Sequence, residues 1–96
     1  MNKDNHLLLT VTNAKSKKQL LIQLFTQLGL GADYPNQNWD SFWDVITDNQ
    51  TYQQLGFKQV DKIVINHVKC RLNDKDMDRY REIEADSEGL IELIGI

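Results

Sequence analysis

The chain has 96 residues and a mass of 11.2 kDa, with 41% hydrophobic and 26% charged residues. That is a single domain over residues 1–96, and a chain of this size buries about two-thirds of its extended surface, enough for one core without staples. The single cysteine, Cys70, excludes an internal disulfide and a cysteine-built zinc site. No apolar run approaches the roughly 18 residues of a membrane span, and the polar start from Met1 to His6 does not read as a signal peptide, so a cytoplasmic protein is expected. The net charge of −3 is unevenly spread: residues 1–32 carry +3, residues 33–61 carry −4 and residues 62–96 carry −2. An acidic middle argues against nucleic acid as a ligand there and suits a basic partner.

Leu7-Leu8-Leu9-Thr10-Val11 is a short apolar run without alternation, which predicts a strand covered on both faces. Ser16-Lys17-Lys18-Gln19 has the form of a capping box, with Ser16 at the cap and Gln19 reaching back. Leu20, Leu21, Leu24, Phe25 and Leu28 then recur at helical spacing and Gly29 is a natural stop, so residues 16–28 read as an amphipathic helix. Asn38 is a candidate cap for a second helix, in which Trp39, Phe42, Trp43 and Ile46 form one apolar stripe. A short helix from about Tyr52, closed by Gly56, is expected next. The β-branched run from Lys62 to Val68 reads as a buried strand. Asn73 to Asp86 reads as the last helix, with Met77, Tyr80 and Ile83 inward and acidic residues at its favourable end. Leu90 to Ile96 closes the chain as a strand. Helical crossovers between strands imply an α/β fold, a small three-stranded parallel sheet with helices packed on it, on both faces.

No phosphate-binding glycine loop, dinucleotide fingerprint, zinc-protease motif or C-x-x-C is present. No cofactor is expected. His67 lies in the expected strand, where it reads as a satisfied core or edge histidine. A nucleophile pair of His67 with Cys70 is disfavoured, because residues three apart on a strand face opposite sides.

The informative feature is a carboxylate row. Asp40, Asp44 and Asp48 recur at every fourth position, with no lysine or arginine three or four residues away. Like charges at that spacing cost roughly 0.2–0.5 kcal/mol per pair. The row is either a solvated face or a surface kept acidic for a cationic partner. Metal binding by the row is disfavoured, since no ligand-dense loop accompanies it. Trp39 and Trp43 share the apolar stripe, and one helix rarely needs two indoles wholly inside. One of them, at the border with the aspartates, suits a binding hot spot.

The stretch Tyr34-Pro35-Asn36-Gln37-Asn38-Trp39-Asp40-Ser41-Phe42-Trp43-Asp44 resembles the barstar family. Barstar is the intracellular inhibitor of the secreted ribonuclease barnase. The family's hallmark is a tyrosine, a short loop ending in Asn, and a helix reading apolar-Asp-x-apolar-Trp-Asp. The lysine-rich cap and leucine helix over 15–28 and the order of elements resemble the family too. The likeness is strongest over residues 7–47. Tyr80-Arg81-Glu82 is similar to the aromatic-Arg-Glu of the family's last helix, where the glutamate faces the nuclease. The chain departs from the family in a longer segment from Thr47 to Asp61, a shorter one before the last helix, and Asn36 in place of the binding-loop glycine.

The resemblance implies an immunity protein with no catalysis of its own. Its partner would be a basic nuclease toxin, of the ribonuclease kind, with no nucleic acid and no membrane involved. Asp44 would be the central anion in a cationic active site, Asp40 a second charge contact and Trp43 an aromatic anchor. Tyr34 and Asn38 would be loop contacts, with Asp48 and Glu82 further out. Two rival readings remain. One is a regulatory module on the same scaffold that binds a protein other than a nuclease. The other is a small enzyme using the carboxylates as acid and base, which requires a concave site.

Overall fold

The computed structural model describes residues 5–31 and 38–96. Three strands, β1 (His6–Thr12), β2 (Lys62–Val68) and β3 (Ile91–Ile94), form a parallel sheet in the order β1-β2-β3. Leu9, Ile65 and Leu93 lie in register across it, as do Leu7, Ile63 and Ile91, and Val11 pairs with His67. These side chains share the face turned to the helices. Leu9, Val11, Ile63, Ile65, His67, Ile91 and Leu93 are buried there.

The opposite face is open, which corrects the expectation that helices cover both. Leu8, in the middle of the leucine run, is 65% exposed. Strand order supplies the reason. Parallel crossovers are right-handed, so two that both step in the same direction, β1 to β2 and β2 to β3, leave their helices on one face. The open face is accordingly mixed: Leu8, Val64 and Glu92 share a row, as do Thr10, Asn66 and Ile94, and Lys62 pairs with Glu92 at 2.8 Å.

Helix α1 (Lys17–Gln27) starts at Ser16, whose side chain accepts from the Gln19 amide. The Gln19 side chain reaches one residue further back than expected, to the Lys15 amide at 2.7 Å. At the other end Gly29 takes a φ of 88°, and the amides of Gly29 and Leu30 return to the carbonyls of Thr26 and Phe25. This closure needs a left-handed residue, which glycine adopts without a Cβ clash. Helix α2 (Trp39–Ile46) opens on a capping box between Asn38 and Ser41.

Helix α3 (Asn49–Gln53) begins three residues earlier than the sequence suggested, with Asp48 as its cap. Buried Tyr52 and Thr51 donate from α3 to the carbonyls of Ile46 and Val45, the latter at 2.9 Å. Both carbonyls lie in the last turn of α2, where ordinary helical partners run out, and that of Val45 also accepts from the Asp48 amide at 3.2 Å. Helix α4 (Asp74–Asp86) is capped by Asn73 and carries Asp74 and Asp76 in its first turn, where acids complement the macrodipole. The last strand is shorter than the expected Leu90 to Ile96.

The core gathers Leu20, Leu21, Leu24 and Phe25 of α1, Phe42 and Ile46 of α2 and Tyr80 and Ile83 of α4 over the sheet. Tyr80 stacks on Trp39 at 5.4 Å and meets Phe42 edge-on at 6.3 Å. This packing sets α2 against α4.

Polar side chains cover several backbone groups on each sheet edge. At β1, Gln27 accepts from the Thr10 amide at 3.1 Å and donates to its carbonyl at 2.7 Å. Gln23 does the same for Thr12, at 3.0 and 2.9 Å. At β3, Ser87 accepts from the Ile91 amide and Glu84 from the Leu93 amide. These groups are thus withheld from pairing with another strand.

Candidate protein-interaction surface

Helix α2 buries Trp39, Phe42, Val45 and Ile46. With that face fixed, Asp40 and Asp44, one turn apart, project to solvent and are exposed. Trp43 sits at the border, partly buried and packed against the core. The two indoles therefore divide. Trp39 is a core residue, 8% exposed, with its Nε1 donating to Asp76 at 3.3 Å. Trp43 is the one beside the aspartates with surface to offer.

The row of three carboxylates is shorter than its spacing implied. Helix α2 ends at Ile46, where Thr47 turns its hydroxyl back to the Trp43 carbonyl at 2.7 Å. Asp48 then takes an extended backbone and its carboxylate accepts from the Gln50 amide at 3.0 Å. It is a helix cap, not the third tooth of a ridge. Asn38 likewise caps α2, its side chain accepting from the Ser41 amide at 2.9 Å. Tyr34 lies outside the described residues.

Asp40 and Glu82, from α2 and α4, are brought together by a residue that the sequence reading did not single out. Arg79 places Nη1 2.7 Å from Glu82 and Nη2 3.4 Å from Asp40. The spacing of Arg79 and Glu82 on one helix was legible; the reach to Asp40 exists only once α2 and α4 pack. Asp44 differs from its neighbours. Among the described residues its carboxylate has no hydrogen-bond or ion-pair partner.

Beside this ridge a cleft of about 550 Å³ opens where the N-terminal ends of α1, α2 and α4 meet, with Lys17, Asp40, Lys75, Asp76 and Arg79 on its walls. Of the acidic residues on α2 only Asp40 reaches it. Asp44 stands on a convex surface, which is poor ground for acid–base catalysis and good ground for insertion into a partner's groove. Among the described residues no group of three or more histidines, cysteines or acids could hold a metal ion, and no helix is long and apolar enough to cross a membrane.

The histidine and the cysteine take no part in this surface. His67 is 4% exposed. Its Nδ1 donates to the Ile94 carbonyl at 2.7 Å and its Nε2 accepts from the Tyr80 hydroxyl at 2.8 Å, the tautomer being fixed because a carbonyl can only accept. Both ring nitrogens are thereby used inside the core. The Cys70 thiol lies 3.4 Å from the Val11 carbonyl. The pair is structural.

A one-face α/β sheet with an acidic helix on its outside defines a small scaffold with a convex charged face. The model of the family described as Barstar (barnase inhibitor) matches residues 5–88, and the chain belongs to that family. The match runs through β2 and α4 and so covers Glu82 as well as α2. Neither the curated proteins nor the solved structures yield a match.

Proposed function

We propose that this protein is an inhibitor that binds a basic nuclease toxin, of the ribonuclease kind, and occludes its active site with α2. It acts as an immunity protein in the cytoplasm. The observation that carries this reading is Asp44. A family of barnase inhibitors here presents an exposed carboxylate with no intramolecular partner among the described residues, next to a half-buried tryptophan on a rigid helix. A ribonuclease active site is cationic because it binds phosphate, and a carboxylate on a convex ridge can take the place of that phosphate. Charge-assisted contacts to arginine or lysine would hold it, and Trp43 would exclude water around it. Opposite fields also accelerate encounter; barnase and barstar are the standard case of such steering.

The test is a pull-down with the wild type and an Asp40→Ala/Asp44→Ala double variant, followed by a ribonuclease assay on what the wild type alone retains. A basic nuclease captured and silenced only by the wild type supports the inhibitor. A specific partner without nuclease activity favours a regulatory module on the same scaffold. Equal capture by both proteins makes the acidic face a solvated surface.

A further inference from the structure

We propose that Arg79 is a specificity-determining residue: a built-in counter-ion that competes with a partner's cations for Asp40 and Glu82 and leaves Asp44 as the primary anion. This rests on the reading of α2 as a docking helix. The geometry is that of a fork. One guanidinium nitrogen sits 2.7 Å from Glu82 on its own helix, and another 3.4 Å from Asp40 across the gap to α2. The Arg79 side chain is 35% exposed, whereas that of Asp40 is 92% exposed, so the cation is backed by protein and the carboxylate is open to a partner. Stacking of Trp39 on Tyr80 and the bond from Trp39 to Asp76 hold α2 and α4 at the separation this fork needs.

A partner arginine approaching Asp40 must displace Arg79 or share the carboxylate with it. One approaching Asp44 meets no such rival among the described residues. Arg79 therefore divides the acidic face. It selects for a partner whose strongest cation falls over the middle of α2 and against one whose positive charge is spread towards α4.

The experiment uses a hexaarginine peptide as the cationic probe at low ionic strength, so that it does not depend on which nuclease is bound. Affinities are compared for the wild type, Arg79→Gln, Asp40→Asn, Asp44→Asn and Lys18→Gln, the last removing an exposed charge from α1. Arg79→Gln should tighten binding by about two- to fivefold beyond the gain from Lys18→Gln, the range of a single exposed ion pair. In the wild type, Asp40→Asn should cost less than Asp44→Asn, and the gap should close in the Arg79→Gln background. Weaker binding by Arg79→Gln, or a gain equal to that of Lys18→Gln, would overturn the proposal. So would equal costs for Asp40→Asn and Asp44→Asn in the wild type, a comparison that needs no folded Arg79 variant. A failure of the inhibitor reading shows separately, as a wild type that silences no nuclease while these peptide affinities hold.

Discussion

The Tyr80 hydroxyl and His67 Nε2 meet at 2.8 Å inside the core, joining the central strand to the last helix. With Nδ1 donating to the Ile94 carbonyl, the neutral imidazole accepts from the Tyr80 hydroxyl at Nε2. Burial, the largest influence, pulls the His67 pKa below its ordinary 6.5, and nearby Arg81 pulls the same way against the opposing pull of the Ile94 carbonyl. In the unfolded chain the histidine takes a proton at its ordinary value, so the unfolded state binds more protons once the pH falls below it. The stabilisation is complete above about pH 6.5 and is lost as the pH drops towards the lowered folded value. Urea unfolding between about pH 5 and 7.5, a window chosen to stay above carboxylate titration, should show stability declining below 6.5 in the wild type. The decline should be absent from His67→Gln. Parallel pH profiles for the two proteins would remove His67 as the titrating group.

Gln23 and Gln27 act as the missing neighbour of β1, each satisfying both backbone groups of one residue. Replacing both by alanine removes these bonds and uncovers the edge. We expect a loss of about 2–6 kcal/mol in stability for the four bonds, given roughly 0.5–1.5 kcal/mol for each intramolecular hydrogen bond. Self-association through strand pairing should appear with it. Analytical ultracentrifugation over a range of concentrations checks this. A double variant that sediments as the wild type at every concentration would show that the edge is guarded by something else.

Much of the fold was legible because its signals are local. Ser16 and Asn38 cap the helices they were expected to cap, and Gly29 ends α1. The two-face covering failed because Leu8 stands between two other leucines, and local hydrophobicity does not record which way a strand order runs. Asp48 misled for a related reason. Its spacing continues the row from Asp40 and Asp44, but spacing does not reveal that Thr47 ends the helix. In the site, Asp40, Trp43 and Asp44 follow from the pattern of one helix. Arg79 does not, since its contact with Asp40 spans 39 residues and is made only when α2 and α4 pack.

The cap at Asp48 separates folding from binding in a measurable way. Asp48→Ala removes the acceptor of the Gln50 amide at the start of α3. Loss of a cap costs about 1 kcal/mol, and α3 supplies the Tyr52 and Thr51 bonds that finish α2. We expect a lowered Tm with little change in affinity for the proposed nuclease partner. A variant with unchanged Tm and much weaker binding would return Asp48 to the interface.

Asp44→Ala should behave in the opposite way. The carboxylate makes no intramolecular bond among the described residues, so its removal costs the fold little and relieves repulsion from Asp40. At the centre of an interface it would be desolvated against a cation, and truncating such a group costs more than about 2 kcal/mol. Trp43→Ala should also weaken the complex, but it removes side-chain volume packed against the core and so lowers stability too. The two variants are told apart by reading Tm beside affinity. A loss below about 0.5 kcal/mol for Asp44→Ala, the scale of an exposed ion pair at a rim, would move the centre of the interface away from α2. The gap beside Asp40, where Arg79 and Lys75 face the cleft, would then be the next place to look for the contact that holds the proposed partner.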